Sequence, residues 1–186
     1  MTKVSNKKLT VICIVLVVAL FLSIVGNVVI HNENSKLKNE QIKQMTTEWS
    51  EVYELSRQVD NYIALNYVDG EKYQKYVNKI CHHFRLASPV SQLNWNMSDL
   101  LVNSYDPLFL NLIDEERTVN KKKALALLKE MNSSLAEISK NISEMSTDEK
   151  NKLMDQSSAV YKQQSAKVKD FATKYQKLTD DYFKGL

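Results

Sequence analysis

Hydrophobic and polar positions divide the chain into two regimes. Residues 9–30 read LTVICIVLVVALFLSIVGNVVI, with no charged residue and with Thr10, Ser23 and Asn27 as the main polar interruptions. As a helix rising about 1.5 Å per residue, this stretch would cover roughly 33 Å, enough for a bilayer core of about 30 Å. Beyond it, apolar positions recur in alternating steps of three and four. Ile42, Met45, Trp49, Val52, Ser56, Val59 and Ile63 form one series, with Glu48, Glu51, Glu54, Arg57 and Gln58 between them. Leu125, Leu128, Met131, Leu135, Ile138, Ile142 and Met145 form a second. Met154, Ser157, Tyr161, Gln164, Val168, Phe171, Tyr175, Leu178 and Tyr182 form a third. Such spacing predicts helices packed nearly parallel or antiparallel through narrow apolar seams.

Past residue 30 only Gly70, Gly185, Pro89 and Pro107 supply glycine or proline, whereas a sheet-rich fold needs turn signals about every 8–12 residues. The expected fold class is therefore all-α: an N-terminal transmembrane helix followed by an antiparallel bundle of four to five helices with coiled-coil-like seams. Asp69-Gly70 predicts a turn that ends the first helix near Tyr67. Tyr73, Tyr76, Val77, Ile80 and Phe84 mark a second helix, stopped before Ser88-Pro89 because the residue before proline avoids helical geometry. Residues 87–97, with Asn94-Trp95-Asn96, read as a loop. Residues 100–113 read as helix in two pieces, since Asp106-Pro107 suits an N-cap followed by proline at the first helical position. Ser146-Thr147-Asp148-Glu149 matches a capping box and is expected to open the last helix. The short link around Ser146 makes the last two long helices an antiparallel hairpin.

Charge gives the apolar run a direction. Lys3, Lys7 and Lys8 precede it without an acidic residue, and His31-Asn32-Glu33-Asn34-Ser35 follows it. Basic residues beside a span favour the cytoplasm, although Lys36, Lys38 and Lys43 reduce the asymmetry. The expected organisation is a basic cytoplasmic tail at 1–8, a signal-anchor at 9–30 and an extracytoplasmic helical bundle at 31–186, in a single-pass protein of the cell membrane. A cleaved signal peptide would have an apolar core of about 7–15 residues closed by a small-x-small site, and Ile24-Val25-Gly26 is a poor substitute. Cys13, preceded by Thr10-Val11-Ile12, does not fit a lipobox.

The formal charge of +3 comes from the three N-terminal lysines, because the rest of the chain carries 22 basic and 22 acidic side chains. A neutral domain lacks the phosphate-neutralising excess that nucleic-acid binding needs, so no nucleic-acid partner is expected. Lys121-Lys122-Lys123, with Asp114-Glu115-Glu116 upstream, reads as a solvated helix face.

Candidate chemistry is sparse. Cys81-His82-His83 is the one cluster of metal-type ligands, but adjacent helical residues point about 100° apart. No metal, cofactor or catalytic residue is expected. Cys81 reads as a small buried apolar residue; if the bundle is outside the cell, any disulfide it forms would be intermolecular and would give a covalent dimer. A Cys–His nucleophilic pair would lack a glycine-rich turn for an oxyanion pocket. Neither a phosphate loop nor Gly-x-Gly-x-x-Gly nor His-Glu-x-x-His occurs. Asn96-Met97-Ser98, Asn132-Ser133-Ser134 and Asn141-Ile142-Ser143 match the glycosylation pattern, but two fall inside a predicted helix. The excess of Lys over Arg resembles A+T-rich bacterial genes, so all three read as chance.

Residues for partner contact come from two places. Trp95 is an aromatic on an expected loop, and the seam of the final helix carries Tyr161, Gln164, Phe171, Tyr175 and Tyr182, whose polar groups suit a wet interface. The alternative is that this seam closes within its own bundle. The expected function is a non-enzymatic protein-interaction module at the cell envelope, with a protein partner or a second copy. It would assemble a secretion or division complex, or exclude phage or mobile DNA. The layout is also similar to the extracytoplasmic four-helix domains of chemoreceptors and sensor kinases. That resemblance implies a small-ligand sensor; without a second span or a cytoplasmic signalling part here, a partner membrane protein would have to carry the signal.

Overall fold

Nearly every periodic stretch is helical in the computed structural model, which describes residues 6–65, 69–86, 91–113 and 120–185. The chain is all-α. In order, the elements are α1 (Asn6–Leu65), α2 (Gly70–Leu86), α3 (Ser91–Leu100), a π-helical turn (Leu101–Tyr105), α4 (Asp106–Ile113), α5 (Lys121–Ser143), α6 (Thr147–Leu153) and α7 (Ala159–Lys184). The expectations for Tyr67, for Ser88-Pro89 and for Asp114-Glu115-Glu116 fall outside the described residues.

Two compact units divide the chain, residues 1–41 and residues 42–186. In the first, the apolar side chains of α1 are open, with Leu16 63% and Val17 68% exposed. An 18-residue window of α1 has mean hydropathy 2.9 and none of it is buried. Among the described residues, α1 is the one helix long and apolar enough to cross a membrane.

The second unit is a helical bundle. Ile42, Met45, Trp49, Val52, Ser56 and Val59 of α1 are all buried, as their spacing predicts. Met45, Trp49, Val52 and Val59 share one core with Tyr73, Val77, Ile80 and Phe84 of α2, and with Leu128, Met131, Leu135 and Ile142 of α5. Aromatic contacts tie α1 to its neighbours: Trp49 lies 5.1 Å from Phe84, and Tyr62 meets Phe109 edge-on at 5.1 Å. Tyr73 stacks on Phe109 at 4.0 Å.

Glu48 is the anomaly on this seam. It is only 2% exposed; one carboxylate oxygen accepts from Gln44 at 2.9 Å and the other has no partner among the described residues. Burial raises its pKa above the ordinary 4.5, the Gln44 hydrogen bond opposes this, and the charge of Glu51 adds to it. An acid whose folded pKa is raised binds its proton more tightly when folded, so it subtracts stability as pH rises through that range. Glu48→Gln is therefore expected to raise the denaturation midpoint at about pH 7.5 and to give no gain at about pH 3.5. A gain that is the same at both pH values would contradict this.

Local chemistry explains where the helices differ from the sequence pattern. Asp69 opens α2 instead of only closing α1: its carboxylate accepts the Lys72 backbone N–H at 3.1 Å, an N-cap bond. Residues 91–97, expected as loop, belong to α3. Leu93, Asn94, Met97 and Ser98 face inward, and tertiary burial overrides the turn preference of asparagine. Asp106 is not an N-cap either. Its backbone is helical and its N–H donates to the Leu101 carbonyl, five residues back. Pro107 has no N–H, and its ring would crowd the Asn103 carbonyl in a regular α-helix; widening the preceding turn to π geometry relieves that conflict. The Asp106 carboxylate accepts instead from Gln74 of α2 at 2.5 Å.

The third apolar series also breaks. The Ser146–Glu149 capping box is present, but it opens the short α6, and α7 starts afresh at Ala159 with Ser158 as its cap. Met154 and Ser157 therefore lie outside α7. Leu178 is 37% exposed while Thr179 is buried, a one-residue slip of the seam.

Candidate interaction groove between α5 and α7

The turn that joins α5 to α7 is fixed by short polar contacts. Ser146 Oγ accepts the Glu149 N–H at 3.3 Å, and Glu149 Oε2 accepts the Ser146 N–H at 2.9 Å. The Ser146 hydroxyl, donating to Glu149 Oε2 at 2.7 Å, and then the Ser146 backbone N–H hold the Glu149 carboxyl below its ordinary pKa. Lys150 Nζ donates to the Ser143 carbonyl at 2.7 Å, satisfying the C-terminus of α5. Ser158 Oγ then accepts the Tyr161 N–H at 3.0 Å and donates to the Lys152 carbonyl at 2.5 Å. With both ends pinned, α7 returns antiparallel to α5: Lys174 Nζ donates to Glu130 Oε1 at 2.6 Å, and Ser134 and Tyr175 hydroxyls lie 3.4 Å apart.

Between these helices runs a groove of about 380 Å³, lined by Ser134, Glu137, Ile138 and Asn141 of α5 and by Gln164, Lys167, Asp170, Phe171, Lys174 and Tyr175 of α7. Phe171 meets Tyr175 edge-on at 5.0 Å, and the Lys174 ammonium sits 4.6 Å above the Tyr175 ring. The Tyr175 hydroxyl also reaches Glu130 at 3.2 Å. Hydrogen bonds from Lys174 and Tyr175 and the Lys174 charge hold the Glu130 carboxyl below its ordinary pKa.

The residues singled out from sequence separate into three groups. Gln164, Phe171 and Tyr175 form the inner wall of the groove. Tyr161 and Tyr182 do not reach it; they are core residues, and the Tyr182 hydroxyl accepts from Asn111 at 2.6 Å. The seam of α7 is thus mostly closed inside its own bundle, because α3, α5 and α6 pack on it. Trp95 stands apart on α3, 49% exposed, with the Arg85 guanidinium 5.5 Å from its ring.

Cys81 is buried. Its thiol lies 3.9 Å from the Ser98 carbonyl, while Ser98 Oγ donates to the Cys81 carbonyl at 3.4 Å. Burial pushes the thiol up to about 11, opposed by Ser98 and Arg85. In this fold Cys81 is not presented for an intermolecular disulfide: the α2–α3 contact would have to open first. His82 is exposed, while His83 lies 3.8 Å from Glu51, so the three residues do not converge on one point. No cluster of three or more metal-type ligands exists among the described residues.

Sequence reasoning missed the charged rim of the groove, because Glu137, Lys167, Asp170 and Lys174 look like ordinary surface positions between seam residues. It also missed a buried polar cluster. Tyr105, carried inward by the π turn, donates to Asn132 Oδ1, and Asn132 Nδ2 donates to the Ser56 carbonyl at 2.9 Å and to Asp60 at 2.5 Å. Burial, followed by the Asp60 charge, pushes the Tyr105 pKa well above its ordinary value.

The chain matches no family model, no curated protein and no solved structure.

Proposed function

We infer that this is a single-pass, membrane-anchored, non-enzymatic interaction module of the cell envelope, with its N-terminus cytoplasmic and its bundle outside. One contrast carries the reading. The apolar half of α1 is fully open, whereas the bundle buries its own seams. Exposed apolar surface on that scale needs a lipid or protein cover, and its length suits a bilayer. Lys3, Lys7 and Lys8 on one flank favour the cytoplasm for that end. Trp95 with Arg85 is the feature a protein partner would use, since buried Trp and Arg dominate interface energetics. Assembly of an envelope complex and surface exclusion of phage or mobile DNA are the processes such a module serves.

Membrane fractionation tests the anchor. The full chain is expected to stay in the pellet after alkaline carbonate extraction. Release into the supernatant would leave a peripheral protein and remove the basis of the reading.

The α5–α7 groove favours a second reading, a small-ligand sensor that signals through a partner membrane protein. Ligand-induced thermal stabilisation would favour this one, and stoichiometric co-purification with a protein would favour the first.

A further inference from the structure

The groove between α5 and α7 holds a polar group that the fold leaves unanswered. Gln164 is 8% exposed and lines the groove, yet its amide has no hydrogen-bond partner among the described residues. Its amide meets water in the open groove, and a molecule offering both a donor and an acceptor would take the place of that water. Ile138 and Phe171 supply an apolar floor beside it. On the walls, Glu137 of α5 and Lys167 and Asp170 of α7 are charged and exposed, and none has an ion-pair partner among the described residues. Lys174, in contrast, is paired with Glu130. The volume, about 380 Å³, falls within the range of about 300–1,000 Å³ typical of small-molecule sites.

We propose that this groove binds a small zwitterion with an apolar side chain, chemically a free α-amino acid. Its carboxylate would pair with Lys167 and take the Gln164 amide donor. Its ammonium would pair with Asp170 and Glu137 and give a hydrogen bond to the Gln164 carbonyl. Its side chain would cover Ile138 and Phe171. An anion alone would meet Asp170 and Glu137, and a cation alone would leave Lys167 uncompensated, so both charges are needed. The inference deepens, and rests on, the sensing reading; it is independent of which side of the membrane the bundle occupies.

The test is calorimetric titration of the full chain in lipid nanodiscs with L-phenylalanine and L-leucine. Phenethylamine and phenylpropanoate, each lacking one charge, serve as controls, with thermal unfolding measured in parallel. The zwitterions are expected to bind and to raise the unfolding midpoint, and each control to bind at least about tenfold more weakly. Lys167→Gln and Glu137→Gln, both at exposed positions, are expected to weaken zwitterion binding about tenfold while leaving the ligand-free midpoint unchanged. Gln164→Leu should abolish binding. Binding of zwitterions and controls with equal affinity would overturn the proposal, as would binding unaffected by the Lys167 and Glu137 variants. If sugars or nucleotides stabilise the chain and zwitterions do not, the ligand class is wrong and the sensing reading survives. If no small molecule in the panel shifts the midpoint, both fail. The groove would then be a protein-docking surface, with the same two variants losing a partner.

Discussion

Replacing Trp49 by alanine is expected to lower the unfolding free energy of the bundle by about 3–5 kcal/mol, the cost of deleting a large core aromatic. Trp49 is fully buried, lies 5.1 Å from Phe84 and sits midway along the α1 seam between Met45 and Val52. Its indole N–H has no partner among the described residues, so the loss is one of packing and apolar transfer, with no hydrogen bond forfeited. Trp49→Phe, which keeps most of the ring contact, should therefore cost much less than Trp49→Ala. Chemical denaturation of the chain in lipid nanodiscs, followed by far-UV circular dichroism, measures both. Against a typical total of about 5–15 kcal/mol, the alanine variant loses a large share of its stability. A loss below about 1 kcal/mol would mean that α1 is not a core element of the bundle.

The second large effect belongs to Asn132. One side chain serves α1, α5 and the π turn together, accepting from Tyr105 and donating to Ser56 and Asp60. Asn132→Ala strands the Tyr105 hydroxyl in a buried site, removes the second hydrogen bond to the Ser56 carbonyl and leaves a small void, so a loss of about 2–4 kcal/mol is expected. Tyr105→Phe removes only one end of the cluster and should cost about 1–2 kcal/mol. The two residues are in contact, so the double variant should lose less than the sum of the singles, with a coupling of about 0.5–3 kcal/mol. Strict additivity would show that the cluster is not one cooperative unit. Its physical role is register: sliding α5 by one residue past α1 would break every one of these bonds at once, a discrimination the apolar seam alone does not provide.

Periodicity made the helices legible and made their polar exceptions hard to see. Ile42, Met45, Trp49, Val52 and Val59 were readable as a seam because large apolar residues mark one face and charges mark the other. Asn132 follows directly on Met131 and looks like a surface amide until Tyr105 is brought opposite it. That placement depends on the π turn, which follows from Pro107 being one residue too far along the helix to act at its start. The α3 helix was hidden by Asn94 and Ser98, polar residues that tertiary packing turns inward. In α7, the residues Tyr161, Gln164, Phe171, Tyr175 and Tyr182 were readable as one face, but what covers that face was not. Packing of α3, α5 and α6 encloses most of it and leaves Gln164, Phe171 and Tyr175 at the groove. The charged rim has no sequence signature, because Glu137 of α5 and Lys167 of α7 come to line one groove only through the antiparallel return fixed around Ser146 and Ser158.

Side-of-membrane labelling addresses the central claim most directly. Ser133 is exposed on α5, whereas Cys81 is buried with its thiol pushed up to about 11, and Cys13 lies within the apolar run. The Ser133→Cys chain is treated in intact cells with a membrane-impermeant maleimide, beside the native chain as the unlabelled control. Labelling of Ser133→Cys in intact cells, with the native chain unreactive until it is denatured, is the result expected for an anchored bundle facing outward. Labelling of Ser133→Cys only after lysis would place the bundle in the cytoplasm and contradict the reading of Lys3, Lys7 and Lys8 as the inner flank.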